Sequence, residues 1–314
     1  MNEDPTGSDF AAMTELHSPP GFRCGFATLA GRPNVGKSTL LNALLARKVS
    51  IVTPKPQTTR HRIAGVLTGP AAQVVFLDTP GLHRGARRAM NRQMNRVAAH
   101  ALAEADLILF LVSALQWTDE DEDVLERLRE QQVKTFLVVN KVDRVSPKER
   151  LLPFIREVSS RGDFAEVFPV SALKRDNLEP LLERVICNLP ESEPLYPPGQ
   201  VTDRSDAFQA AEIIREKLMW KLQQELPYDT GVEIESYEDD SKLLRIAAVI
   251  WVERAGQKAI VIGKGGTRLK EIGQSARLEL ERMKKRKVHV QLWVRVKENW
   301  SDDERALRRL GYDT

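Results

Sequence analysis

Eight consecutive residues, Gly31-Arg32-Pro33-Asn34-Val35-Gly36-Lys37-Ser38, constrain this chain more than any other stretch. They fit the spacing G-x-x-x-x-G-K-[ST] of a phosphate-binding loop. Glycines let the backbone curl until its amide hydrogens converge on α- and β-phosphates. Lys37 can reach the β- and γ-phosphates, and the Ser38 hydroxyl suits Mg2+. Such a loop belongs between a buried strand and the N-terminus of a helix, which favours anions. The flanks comply: Phe22 to Ala30 predicts the strand, and Thr39 to Ala46 the helix.

The rest of the first half repeats that alternation. Strands are predicted at Phe22–Ala30, Arg62–Leu67, Val74–Leu77, Leu107–Val112, Thr135–Val139 and Val167–Val170. Helical patterns lie at Thr39–Ala46, Arg88–Ala103, Asp119–Gln131, Pro147–Ser160 and Asn177–Asn188. This order predicts an α/β unit over 22–189, a mostly parallel sheet with helices on both faces. Ligands of such sheets sit beyond the carboxyl ends of the strands.

At 314 residues, two domains are expected. Four prolines between Pro190 and Gly199 predict a linker over 190–204. A second unit over 205–297 follows in the order helix (Ala207–Gln224), strand (Gly231–Tyr237), strand (Leu243–Val252), helix (Gln257–Ile262), helix (Arg268–Met283), strand (Val288–Val296). Residues 298–314 read as a C-terminal tail, and 1–21 as a disordered extension, acidic at Glu3, Asp4, Asp9 and Glu15. Cys24 and Cys187 both fall in apolar runs and read as small core residues, which suits a reducing compartment. The longest strongly apolar run, Leu107–Val112, is far too short to cross a bilayer, and no signal peptide is visible.

Three further stretches fall at predicted strand ends and complete a nucleotide site. In Asp78-Thr79-Pro80-Gly81 a carboxylate can hold Mg2+ through water, and the Gly81 amide can approach a γ-phosphate unhindered. In Asn140-Lys141-Val142-Asp143 the last residue selects the base. Guanine offers two adjacent donors, N1–H and the exocyclic amine, and Asp143 accepts both. Adenine places an acceptor there, and a mismatch of that kind can discriminate by about 10⁴ or more. Asn140 can bond the N7 edge and tie the loop to the phosphate loop, while the Lys141 stem covers the base face. Ser171-Ala172-Leu173 can donate a backbone N–H to guanine O6, although taken alone the triplet reads equally well as a loop. Between the phosphate loop and Asp78, the segment Thr53–Arg60 reads as a switch loop. One of its threonines, Thr59 rather than Thr58, would complete the Mg2+ shell only with a γ-phosphate present. Leu82 to Arg88 forms the second mobile segment. Arg60, Arg84, Arg87 and Arg88 lie near the switches and read as solvated charges at least as well as catalytic ones.

The second unit carries Ile262-Gly263-Lys264-Gly265-Gly266 between two helices, followed by Arg268 and Lys270. A G-x-x-G loop there lets amides and a helix N-terminus clamp nucleic-acid phosphates. From Gln257 to Arg295 eleven Lys and Arg face three Asp and Glu, a net +8 in a chain whose total is +3. That concentration indicates a polyanion. A solvated basic face around Lys284-Lys285-Arg286-Lys287, or a surface for anionic lipid, are the other readings.

The four nucleotide motifs in this order resemble the translation-factor-like GTPases. PQTTRHRI, with DTPGLH and NKVD, is similar more narrowly to the Era family. So are DRSDAFQAAEIIREKL, LPYDTGVEIE, VERAGQKAIVIGKGG and LWVRVKENWSDDERALRRLGY, which extends the resemblance over 22–313. It implies a P-loop GTPase domain followed by an α+β KH domain of type II, with GTP/GDP and Mg2+ as ligands. It implies Ser38, Thr59 and Asp78 around the metal, and catalysis at Lys37, Thr59 and the Gly81 amide. It further implies binding of the 3′ end of 16S ribosomal RNA, assistance to 30S subunit assembly, a monomer, and a cytoplasmic protein able to associate with the inner membrane. Leu82 departs from Ras-like enzymes, which place a water-orienting Gln after the glycine, so hydrolysis is expected to be slow without help. A P-loop kinase, a constitutive RNA binder with a structural nucleotide, and a lipid-reading GTPase are the rival functions.

Overall fold

The computed structural model describes residues 19–81, 88–222, 229–240 and 242–312. Its first sheet has six strands: β1 (Arg23–Ala30), β2 (Ile63–Thr68), β3 (Ala72–Asp78), β4 (Leu107–Ser113), β5 (Thr135–Asn140) and β6 (Glu166–Pro169). Their order is β2-β3-β1-β4-β5-β6. All neighbours are parallel except β2 and β3, because three residues between them permit a hairpin but no crossover. Helices α1 (Lys37–Leu44) and α5 (Leu178–Cys187) cover one face with Leu40, Leu41, Leu181 and Val185. The other face is covered by α2 (Ala89–Ala103), α3 (Asp119–Arg129) and α4 (Leu151–Ser159), through Leu102, Leu125, Leu128 and Val158. Double coverage explains why β4 and β5 are buried at every residue. The strands end together at Ala30, Asp78, Ser113, Asn140 and Pro169, and the chain diverges from β1 toward β3 on one side and β4 on the other. That switch point is where a ligand fits.

The 190–204 segment is more than a spacer. Val66 N–H donates to the Val201 carbonyl, and the Gln73 side chain accepts from Leu195 and Tyr196. It thereby covers β2, an edge strand whose backbone groups need partners. Cys187 is exposed, against the core position expected for it. The buried stripe of α5 runs through Leu178, Leu181 and Val185, and two residues past Val185 the helix faces outward. Cys24 is buried as expected.

The second unit has α6 (Asp206–Lys221), β7 (Thr230–Asp239), β8 (Leu244–Val252), α7 (Ala255–Ile262), α8 (Thr267–Lys284) and β9 (Val288–Val296). Its sheet order is β7-β8-β9, antiparallel and then parallel. One apolar core gathers Ile213, Leu218, Ile250, Val261, Ile272 and Leu280. No described helix is long and apolar enough to cross a membrane.

Residues after β9 fold back onto the first unit. A 3-10 turn at Trp300–Asp302 leads into α9 (Glu304–Arg309). Trp300, 1% exposed, packs with Met90, Met94, Leu307 and Tyr312. Asp302 accepts from Ala89 N–H and so caps α2 from outside its own unit. Trp300→Ala leaves a void in this cluster and is expected to cost about 3–5 kcal/mol. Guanidinium unfolding measures the loss, and limited proteolysis reports release of residues 298–312. A wild-type midpoint with wild-type protection would contradict this packing.

Candidate functional site

The loop from Gly31 to Gly36 leaves β1 and enters α1 at Lys37. Gly36 has φ 108°, and a Cβ there would collide with Asn140 Nδ2, so only glycine suits the position. Pro33 lies so close to Gly81 that a Cβ on the latter would meet it at 2.9 Å. The phosphate loop and the end of β3 therefore approach backbone to ring. Arg32 pairs with the buried Asp121 at 2.9 Å, which anchors the loop to the first turn of α3. Asn34 takes φ 64°, and its carbonyl accepts from Lys141 Nζ.

Lys37 is 7% exposed, and its ammonium donates to Gly31 O at 2.7 Å and Arg32 O at 3.1 Å. Burial lowers its pKa to about 8, opposed by Asp78. Asp78 is fully buried, and desolvation raises its pKa even though Ser38, Lys37, Ser50 and Thr59 all pull the other way. Its Oδ2 accepts from Ser38 Oγ at 2.6 Å and Ser50 Oγ at 2.8 Å, with Thr59 Oγ1 at 3.5 Å. Thr59 Oγ1 is also 2.9 Å from Ser38 Oγ. Since Ser38 gives its one proton to Asp78, Thr59 is the donor between the hydroxyls. Thr58 points elsewhere, its hydroxyl closing the loop onto Lys55 O at 2.7 Å. Among the described residues Asp78 Oδ1 has no hydrogen-bond partner. An all-oxygen set of one carboxylate and two hydroxyls, with a buried carboxylate oxygen to spare, fits Mg2+. Within the described residues no cluster of three His, Cys, Asp or Glu forms, so the remaining ligands would be phosphate and water.

The base end is a knot of three loops. Asn140 donates to Val35 O at 2.9 Å and accepts from Lys141 N at 2.8 Å and Ala172 N at 3.0 Å. Asp143 Oδ1 accepts from Ser171 Oγ at 2.6 Å, and that hydroxyl accepts from Lys174 N. Ser171 thus orients the carboxylate. Thr79 is buried and bonds Leu29 O, Pro80 and Val142 are buried, and Leu173 is 65% exposed. One cavity of about 480 Å³ joins these parts: Lys37 to Thr39, Thr58 and Thr59, Gly81, Asn140, Asp143 and Leu173 all line it. Leu82 and the segment up to residue 87 lie outside the described residues.

Several contributors were not foreseen. Ser50 on Asp78 and Trp220 at the cavity wall carry no motif. Arg60 is 1% exposed rather than solvated, and donates to Thr230 O and Tyr312 Oη. Arg88 is likewise paired, with Asp229.

In the second unit α7 stops at Gly263, with φ 75°, and Gly265 and Gly266 follow with positive φ and open space where a Cβ would stand. Lys264 and Gly265 are exposed. Arg268 reaches back to Ile260 O and steadies the loop. Lys284 pairs with Asp206 and Arg286 with Asp239, so half of that basic run is neutralised. Among the described residues Lys258, Lys264, Arg268 and Lys270 around the glycine loop have no ion-pair partner, and neither do Arg282, Lys285 and Lys287 at the far end of α8. Of the apolar neighbours, Ile272 is core, Ile262 and Leu269 are half-buried, and Ile260 is 45% exposed.

Comparison with known proteins places both halves. A family described as 50S ribosome-binding GTPase matches residues 26–141, and one described as KH domain matches 225–301. GTPase Era of Stenotrophomonas maltophilia (strain R551-3) is 54% identical over 290 residues, 92% of this chain and 97% of that protein. GTPase Era of Xanthomonas oryzae pv. oryzae (strain MAFF 311018) is 55% identical over 291 residues, 93% and 97% respectively. A crystal structure of an Aquifex aeolicus Era variant bound to GDP.AlF4- superposes with TM-score 0.90 at 39% identity, covering 93% of this chain and all of that one. Era in complex with MgGDPNP and nucleotides 1506–1542 of 16S ribosomal RNA gives 0.90 at 40% identity with the same coverage.

The Lys37 geometry makes nucleotide affinity pH-dependent. A bound phosphate favours the ammonium, whereas the free site begins to lose that proton as pH rises through about 8. Binding above pH 8 therefore takes up a proton. Affinity is full below that pH and declines above it, by at most about tenfold per pH unit. Calorimetry with GDP between pH 7 and 9 checks this. In Lys37→Ala affinity is weak throughout, and only the titration of guanine N1–H remains. An identical decline in both proteins would remove Lys37 from the account.

Proposed function

This chain belongs to the Era family of GTPases, and from that premise we propose that it is a guanine-nucleotide switch that hydrolyses GTP and clamps the 3′ end of 16S ribosomal RNA during assembly of the small subunit. The observation that carries the reading is one cavity lined together by the phosphate loop, by Ser38 and Thr59 of the cluster on Asp78, and by the Asp143 loop. An acyl or redox site would not need a base-selecting carboxylate held by Ser171 beside a phosphate cradle. We take 22–189 as the nucleotide unit, 190–204 as the linker, 205–297 as the KH unit and 298–314 as its C-terminal extension.

The geometry supports the following roles. Backbone amides of Gly31 to Ser38 and the first turn through Thr39 hold the α- and β-phosphates. On binding, the Lys37 ammonium exchanges the Gly31 and Arg32 carbonyls for β- and γ-phosphate oxygens. Ser38, Thr59 and Asp78 would hold Mg2+, which would supply charge neutralisation at the phosphates. The Gly81 amide, packed on Pro33, reads the γ-phosphate. Asp143 accepts the guanine N1–H and amine. Ala172 N–H is shared between Asn140 Oδ1 and guanine O6. Ile262 to Gly266 with Arg268 and Lys270 contact the RNA backbone. The KH unit acts in the cytoplasm as part of a monomer, and any membrane association rests on its unpaired basic residues rather than on a spanning helix.

Asp143→Asn turns one acceptor into a donor and is expected to weaken GDP binding by at least about a hundredfold, while xanthine nucleotide, which offers an acceptor at that edge, gains. Competition between the two nucleotides measures it; an unchanged preference for guanine would place the base elsewhere. Replacing Lys264 and Lys270 by Ala should weaken binding of a 16S 3′-end oligonucleotide. The slope of log affinity against log salt should fall by about 0.7 for each phosphate that no longer meets a lysine. If the slope stays the same while vesicle flotation with competing RNA is abolished, the lipid reading wins.

A further inference from the structure

Three residues of the first-switch segment, and one on either side of it, make polar contacts with the second unit and its C-terminal extension. Val52 N–H donates to Glu216 Oε1 at 3.0 Å, and Lys55 Nζ to Leu222 O. Arg215 Nη2 donates to Thr58 O at 2.6 Å. Arg60 Nη1 donates to Thr230 O at 2.8 Å, and His61 Nδ1 to Gly311 O at 2.9 Å. Thr59 sits between the two positions held by arginines, Thr58 and Arg60.

Arg215 is the unusual member. It is 3% exposed on α6, and a guanidinium buried to that degree needs full compensation. Glu212, one turn earlier and 6% exposed, supplies a two-point pair, Nε to Oε1 at 2.7 Å and Nη2 to Oε2 at 2.6 Å. That pair would satisfy itself anywhere on a helix. What it does here is aim a third bond across the units at the Thr58 carbonyl. The peptide plane is rigid, so fixing that carbonyl fixes the plane that carries the Thr59 amide. Arg60, bonded to Thr230 O, fixes the following residue. Thr59 is therefore suspended between two guanidinium anchors, and its hydroxyl is set 2.9 Å from Ser38 Oγ.

We propose that Arg215, oriented by Glu212, is a positioning residue for GTP hydrolysis: from the KH unit it sets the Thr58–Thr59 peptide and hence the delivery of the Thr59 hydroxyl to Mg2+. Arg215 is not among the residues that line the nucleotide cavity. The proposal rests on the GTPase reading, which Lys37→Ala tests separately by abolishing turnover.

Two variants test it in the full chain. In Arg215→Lys a single ammonium keeps the charge beside Glu212 but cannot also span to Thr58 O. In the double variant Glu212→Met with Arg215→Met the pair is removed without an orphaned charge. Each is compared with wild type by circular-dichroism melting, by GDP affinity, and by GTP turnover as a function of Mg2+ concentration. The expected result is GDP affinity within twofold of wild type, kcat lower by about tenfold, and a Mg2+ requirement raised by about tenfold. Wild-type kcat and Mg2+ requirement in either folded variant would make Arg215 a structural tie alone and overturn the proposal. A parallel loss of GDP affinity would overturn it too, because the defect would then lie in the nucleotide site at large. If both variants fail to fold, the pair is a core support, and the proposal fails.

Discussion

The Asp78 carboxylate is the interaction on which the nucleotide half depends. A carboxylate with no exposure is costly to keep ionised, and burial raises its pKa accordingly. Two hydroxyls donate to one of its oxygens, Ser38 from the phosphate loop and Ser50 from the segment after α1, and the Thr59 hydroxyl of the first switch donates in turn to Ser38. One carboxylate thus draws together the phosphate loop and the first switch, whose hydroxyls suit Mg2+. The other oxygen has no partner among the described residues. A divalent cation inverts the local electrostatics and makes the ionised form the favoured one. The cluster is thus held together by hydrogen bonds that a cation can exchange for coordination.

The same logic extends across the boundary between the units. Lys48 of the first unit pairs with Glu216 and Glu279, and Lys217 pairs with the same two carboxylates. Glu216 also caps Val52 N–H. Alternating charges of this kind give little net stability once desolvation is counted. They do give a defined geometry, because each bond has a length and a direction. The first switch is consequently a shared element, with one side written by the phosphate loop and the other by α6.

Local chemistry was legible in the sequence, and distant chemistry was not. The phosphate loop, Asp78, Asn140 to Asp143 and Ser171 were readable because each motif sits at the end of an apolar strand, and strand ends in a parallel sheet converge without further information. The helical pattern likewise placed α3 within two residues of its observed end. Arg60 was misjudged as a solvated charge because its acceptors, Thr230 O and Tyr312 Oη, lie 170 and 252 residues away. Residues 298–314 read as a tail for the same reason: Trp300 is apolar, but its pocket is built by Met90 and Met94 of the other unit. Cys187 was misplaced because an apolar neighbourhood in sequence says nothing about the side of a helix, and the 3.6-residue period turns it outward.

Two kinds of interaction hold the units, and they respond differently to water. Trp300 against Met90 and Met94 is apolar burial, and water offers nothing in exchange when it opens. The links at Val52, Thr58 and Arg60 are hydrogen bonds, for which water is a ready substitute, so opening each costs about 1 kcal/mol net, rising to 3 where a charge is involved. A nucleotide that repositions the first switch can overcome the second kind within the few kcal/mol typical of coupling between sites. It cannot easily overcome the first. The packing of α2 on Trp300 is the apolar contact between the units, and the bonds of Glu216 and Arg215 on α6 to Val52 and Thr58 are polar ones. Asp302 joins the two kinds at one place: it caps Ala89 at the first turn of α2, beside the Trp300 packing, so the apolar contact also carries a directed hydrogen bond.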